Sequence, residues 1–256
     1  MENVFRRIPL AISLSAILVA CGGGVDQAAA PSSTGAQVVS SAAAISTAST
    51  VVPTTTATSR ERVKIMPLGD SITERADYRR PLQAKLASAG CSVDFVGGRK
   101  DQTDALGVGD PDHEGHGGFR ADQIADGARA WAAAAAPAFV MVHVGTNDFY
   151  QNQDVASTVA DVKRLLSELK AAAPKATILL AQIIPGAGIE KPVAELDALL
   201  VGLADGASVR IVNQQQGVNA ATDTVDGAHP NAALGEQMAQ RWFDVLHPLL
   251  GAACIR

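Results

Sequence analysis

From residue 63 onward the chain alternates two kinds of hydrophobic pattern. Short, mainly apolar runs occupy residues 63–68, 139–144, 177–184 and 209–212, and residues 92–96, Ser92-Val93-Asp94-Phe95-Val96, make a further segment of strand length. Runs of that length without polar alternation are expected of strands buried on both faces. Between them lie segments whose apolar residues recur with a 3.6-residue period, at about residues 78–89, 121–135, 154–173, 193–205 and 232–246. Gly90 and Pro137 stop the first two of these helices, and Asp154 suits the N-cap of the third. Strand and helix in alternation predict an α/β domain of three layers, with about five parallel strands and helices on both faces. Residues 97–118 are polar and rich in glycine, and are expected to form a surface loop. In such a sheet, short connections place polar motifs at the C-terminal edge of the strands.

The first sixty residues do not share this pattern. Arg6 and Arg7 precede an apolar run, residues 8–20, that is too short to span a bilayer, which reads as a secretion signal over residues 1–20. It ends in Leu18-Val19-Ala20-Cys21, which resembles a bacterial lipobox. That resemblance implies lipidation of Cys21 and an exported lipoprotein, periplasmic or cell-surface, held to a membrane by acyl chains. Residues 21–60 are dominated by Ala, Ser, Thr and Gly, cannot bury enough surface to offset their ordering entropy, and are expected to be a flexible tether. The folded domain is then expected to be residues 61–256.

With 47% hydrophobic and 18% charged positions, the 256-residue chain suits one substantial core. Its formal charge is −5; residues 1–20 contribute +1 through Glu2, Arg6 and Arg7, so the remainder stands at −6. Such a surface repels phosphate backbones, which argues against a nucleic-acid partner. Once Cys21 is set aside, Cys91 and Cys254 remain in a compartment where disulfides persist. They are either a bonded pair or two buried thiols, since sequence alone does not show whether their Cα atoms approach.

Three motifs carry chemistry. Ser71 in Gly69-Asp70-Ser71-Ile72-Thr73 follows the first strand directly, where a turn presents its hydroxyl at the sheet edge. Taken alone, such a serine is as well explained as a turn or cap residue. A serine nucleophile needs a base, and Asp226-Gly227-Ala228-His229 supplies one: a carboxylate three residues before an imidazole can fix its tautomer in a compact turn. Ser71, Asp226 and His229 are therefore the expected catalytic residues. Acyl transfer also needs donors for an oxyanion. These are expected from the backbone N–H groups of Ser71 and Gly118 and the side-chain amide of Asn147, in Gly145-Thr146-Asn147-Asp148. Asp70 is read as anchoring its turn rather than transferring protons.

The order Ser71, Gly118, Asn147, Asp226/His229 resembles the blocks of the SGNH hydrolases, also called GDSL-like lipases and acylhydrolases, over about residues 63–247. The resemblance implies a flavodoxin-like three-layer α/β domain, a serine esterase acting through an acyl-enzyme, and no cofactor. Within that family, residues 65–74, Tyr78-Arg79-Arg80-Pro81-Leu82 and His113-Glu114-Gly115-His116-Gly117-Gly118 look like the acetylxylan-esterase branch, carbohydrate esterase family three. Phe119 departs from it where that branch often has tryptophan. The implied partner is a small ester or an acetylated polysaccharide; a lysophospholipase or thioesterase acting on lipids is the alternative.

Other classes fit less well. His113, Glu114 and His116 could suggest a metal, but their spacing is not the helical His-Glu-x-x-His, and glycines surround them. No Gly-x-Ser-x-Gly elbow, P-loop or dinucleotide-binding glycine pattern is present. A binding module that had lost turnover would have no chemical reason to keep Ser71, Asp226 and His229 together. Oligomeric state is not legible at this level.

Overall fold

A computed structural model describes residues 61–254, apart from residue 76 and residues 102–108. The expected signal segment, the tether and Cys21 lie outside the described residues.

All five expected strands form: β1 (Val63–Gly69), β2 (Val93–Phe95), β5 (Phe139–His143), β6 (Thr177–Gln182) and β7 (Val209–Asn213). They pair in parallel in the order β2-β1-β5-β6-β7, which is the flavodoxin order. Alternate residues of each strand point to opposite faces. Met66, Leu68, Val140, Val142, Ile178 and Leu180 face one core with α3 (Ala121–Ala135), α5 (Val155–Ala172) and α6 (Glu190–Leu200). Ile65, Met141, Leu179 and Val212 face the other, with α2 (Arg79–Ser88) and α8 (Ala232–Leu250). The fully buried Leu82, Leu86, Leu165 and Leu196 each contribute roughly 1.5–3 kcal/mol over exposure. Ala125, Ala128 and Ala132 give α3 a buried face of small side chains, which lets neighbouring elements approach closely. Three layers result, as the hydrophobic pattern predicts.

The structure differs from expectation in residues 97–118, which are not merely a surface loop. They contribute β3 (Arg99–Lys100) and β4 (Asp112–Gly115), paired antiparallel to each other. β4 pairs in parallel with the end of β1, at Leu68 and Gly69, on the same edge where β2 pairs with its beginning. His113 and Glu114 are buried there, at 2% and 1% exposure. Their polar groups are satisfied: Glu114 accepts from the Gly98 N–H at 2.5 Å and pairs with His116 Nε2 at 2.7 Å, and His113 Nδ1 accepts from the Gly115 N–H at 3.0 Å. A buried polar group with a partner escapes most of the desolvation cost, so hydropathy alone underestimates this edge.

Three short helices also lie outside the sequence expectation: α1 (Ser71–Glu74), α4 (Thr146–Tyr150) and α7 (Ala220–Asp223). All three are polar single turns next to the motifs. The helix expected to start at residue 193 starts at Glu190 and ends in a 3-10 turn at Val201–Leu203. Cys91 and Cys254 form a disulfide across 163 residues of chain, which resolves the two alternatives left open above.

Candidate active site

β1 ends at Gly69, where a side chain would collide with the His143 carbonyl and the Thr73 hydroxyl. Asp70 then caps α1: its carboxylate accepts from the Ile72 N–H at 3.0 Å and its carbonyl from those of Thr73 and Glu74. Ser71, the first residue of that turn, is held at the sheet edge in the region where helical N–H groups have no intrahelical acceptor.

Asp226 and His229 come from the loop before α8. Asn231 caps that helix by accepting from Leu234 N–H at 2.9 Å, and the Thr224 hydroxyl accepts from Gly227 N–H at 2.9 Å. Gly227, at φ +90°, makes the tight return. The Asp226 carboxylate accepts from the backbone N–H groups of His229 at 2.9 Å and Ala228 at 3.1 Å, and its other oxygen lies 2.8 Å from His229 Nδ1. Those donors, the His229 N–H foremost, hold its pKa down at about 2, so it is an anion at neutral pH. His229 Nε2 lies 2.8 Å from Ser71 Oγ, 158 residues away in sequence. With Nδ1–H donated to Asp226, Nε2 is left to accept the serine proton.

The expected oxyanion donors sit on two adjoining elements. The side-chain amide of Asn147, on α4, donates to the Phe119 carbonyl at 3.0 Å; an amide has a second N–H, which remains available. Gln151 donates to the Gly118 carbonyl at 2.8 Å, and the Asp148 carboxylate accepts from Ala121 N–H at 3.0 Å. These bonds fix the Gly117–Phe119 turn against α4. Gly118 has φ +80°, and a Cβ there would meet no atom within 4 Å, so its backbone faces open space. A Cβ at Gly117 would lie 3.8 Å from the Ser71 Cβ and would collide with the Glu74 carboxylate. The turn therefore borders the nucleophile.

Two buried carboxylates support this edge. Burial pushes Asp70 up to about 7 and Asp148 up to about 6, and the neighbouring Asp148 adds to the rise at Asp70. His143, at the end of β5, is held neutral by burial, its pKa lowered to about 4. His113, Glu114 and His116 do not converge on a common point: His113 Nε2 faces Asp101 at 3.6 Å, whereas His116 pairs with Glu114 and stacks on Phe119 and Trp131. Among the described residues the group whose potential ligand atoms do cluster is Cys91, His247 and Cys254, two of which are bonded to each other.

The rim holds residues that the motif reading missed. Glu74 pairs with Arg99 at 2.6 Å next to Gly117. Tyr150 is bonded through its hydroxyl to the Gly227 carbonyl at 3.1 Å. The available signal for Tyr150 was its position three residues beyond Asn147, which shares a helix face once residues 146–150 are known to be helical.

The chain is similar to known proteins in sequence and fold. The model of the GDSL-like Lipase/Acylhydrolase family matches residues 68–236. A multidomain esterase of Ruminococcus flavefaciens is 25% identical over 225 residues, covering 75% of this chain; the chain spans 29% of that protein's length. A crystal structure of an acetyl esterase mutant with acetate ion is 29% identical, with a TM-score of 0.68 over 74% of this chain and 99% of the other. A family 3 carbohydrate esterase of Clostridium thermocellum is 28% identical, with a TM-score of 0.66 over 75% and 100%. The carbohydrate esterase family 3 protein of Talaromyces cellulolyticus, also 28% identical, has a TM-score of 0.64 over 74% and 99%.

Proposed function

From the premise that the chain belongs to the GDSL-like lipase/acylhydrolase family, we propose that it is a serine carboxylic-ester hydrolase that removes acetyl groups from a carbohydrate. The observation that carries the hydrolase reading is the line of bonds from Asp226 through His229 to Ser71, at 2.8 Å and 2.8 Å. The likeness to acetyl and family 3 carbohydrate esterases, along nearly the whole of those chains, supports the narrower substrate.

In this mechanism His229 Nε2 takes the Ser71 proton as Oγ attacks the ester carbonyl. The tetrahedral oxyanion receives hydrogen bonds from the N–H groups of Ser71 and Gly118 and from the Asn147 amide. Collapse expels the alcohol, which takes its proton from His229, and leaves an acyl group on Ser71. Water, deprotonated by His229, then attacks that acyl group; the bond to Ser71 Oγ breaks, Oγ takes the proton back from His229, and the carboxylic acid is released. Asp226 stays ionised throughout and stabilises the imidazolium, a role consistent with its depressed pKa.

The test compares acetate release from acetylated oligosaccharides with release of fatty acid from lysophospholipids and from acyl esters of increasing length. The acetylated sugar is expected to be the best substrate. Ser71→Ala is expected to lower kcat on it by about a million-fold. Preference for long acyl chains would overturn the carbohydrate assignment; near-normal turnover in Ser71→Ala would overturn the hydrolase assignment as well.

A further inference from the structure

Among the described residues, Tyr150 is the one aromatic side chain that stands exposed, at 42%. Its position is built rather than incidental. α4 carries Asn147 and Tyr150 three residues apart, hence on one face of the helix. The phenol hydroxyl reaches two carbonyls, Gly227 at 3.1 Å and Ala187 at 3.3 Å. Gly227 lies between Asp226 and His229, and its carbonyl also accepts from the Ala187 N–H at 2.7 Å. The ring is thus tied at its polar end to the loop bearing the base, while part of its apolar surface is left to solvent. Val225, on the same loop, is also exposed, at 58%, and its N–H donates to the His229 carbonyl at 2.9 Å.

An ordinary surface tyrosine needs neither a fixed hydroxyl nor a catalytic neighbour. An aromatic ring tied at its hydroxyl and 42% exposed is suited to contact a flat, weakly polar group, and the face of a pyranose, with its axial C–H bonds, is such a group. The charges nearby point the same way. Burial first, then the carboxylates of Glu190 and Asp226, hold the phenol above its usual pKa, so it remains a hydrogen-bond donor. The same two carboxylates disfavour an anionic leaving group, such as a phosphate-bearing alcohol, over this ring.

We propose that the Tyr150 ring is the surface on which the sugar of the ester's alcohol part lies, and that it makes Tyr150 a specificity-determining residue. This inference rests on the carbohydrate reading given above.

The test measures the ratio of kcat/KM on an acetylated xylo-oligosaccharide to kcat/KM on ethyl acetate, whose alcohol part has no ring. Tyr150→Ala is expected to lower the ratio by roughly three- to ten-fold. Tyr150→Leu, which keeps bulk without a π face, should lower it similarly and guards against a folding defect in the smaller variant. Tyr150→Phe, which keeps the ring but loses its two hydroxyl bonds, should lower the ratio less than either of these. If the ratio is unchanged in both Tyr150→Ala and Tyr150→Leu, or falls as far in Tyr150→Phe, the inference is overturned while the carbohydrate reading stands. Wild-type enzyme that cleaves ethyl acetate but leaves the acetylated oligosaccharide intact would overturn both.

Discussion

Asp226 is half exposed, which at first sight argues against a strong electrostatic role for it. Its side chain is 47% accessible, and an exposed ion pair is usually worth little. Its catalytic value lies instead in orientation: two backbone N–H groups hold one oxygen, and that fixes the other on His229 Nδ1. In Asp226→Asn the amide oxygen would stay with the two backbone N–H groups, which turns the NH2 donor toward Nδ1 where an acceptor is required and favours the wrong imidazole tautomer. We expect kcat to fall by about four orders of magnitude with little change in Tm, measured by steady-state hydrolysis and thermal melting. A fall of less than ten-fold would show that His229 finds its orientation elsewhere. At this scale Ser71, Asp226, His229, Gly118 and Asn147 were legible as candidates, because the proposed chemistry restricts which residue types can serve. Tyr150 was not: its one signal, the three-residue spacing from Asn147, acquires meaning only once residues 146–150 are known to be helical. Nor was the raised pKa of Asp70, since burial of a carboxylate is a property of the fold around it.

Elements were legible where hydrophobic pattern decides them and illegible where paired polar groups do. β1, β5 and β6 are predominantly apolar, and α3 has the bounds its pattern predicts. β4 was missed because its sequence, Asp112-His113-Glu114-Gly115, looks like loop until Glu114 is seen to be satisfied by Gly98 and His116. Asp197 is the same lesson within a helix. It is fully buried on α6, where one carboxylate oxygen accepts from the Ile183 N–H at 2.8 Å at the end of β6, and burial raises its pKa to about 8. Between about pH 4 and pH 8 the folded chain therefore holds a proton here that the unfolded chain has released. Stability must fall as pH rises through that window and level off above it. Asp197→Asn keeps an oxygen for Ile183 but cannot titrate. Its Tm should decline less than that of the parent between pH 4 and pH 8, by about 2–4 °C for each 1 kcal/mol of difference. Asp70 and Asp148 impose the same sign over narrower ranges, so some slope should persist. Parallel melting curves for the two proteins would show that Asp197 is ionised in the native state.

Across the whole molecule, the sheet separates what holds the chain together from what reacts. Ser71, the Gly118 turn and Asn147 gather where β1, β4 and β5 end. The Cys91–Cys254 bond lies at the opposite end, where Val63 N–H donates to the Ser92 carbonyl and Ser92 N–H to that of Ala253. It joins the start of β2 to the chain following α8, so it closes a loop of most of the domain. Cross-linking residues so far apart removes much of the freedom of the unfolded chain, and losing such a bond typically costs about 2–5 kcal/mol. For a domain of this size that corresponds to a fall in Tm of roughly 4–20 °C. The double variant Cys91→Ala/Cys254→Ala should melt earlier by that amount and yet keep its kcat at 25 °C, because no bond of the Asp226–His229–Ser71 line passes through that end. Calorimetry and initial rates on the same preparation check both halves. An unchanged Tm would mean that the cross-link constrains nothing the unfolded chain explores. A loss of kcat with the fold intact would mean that strain at the base of β1 and β2 reaches the turn that presents Ser71.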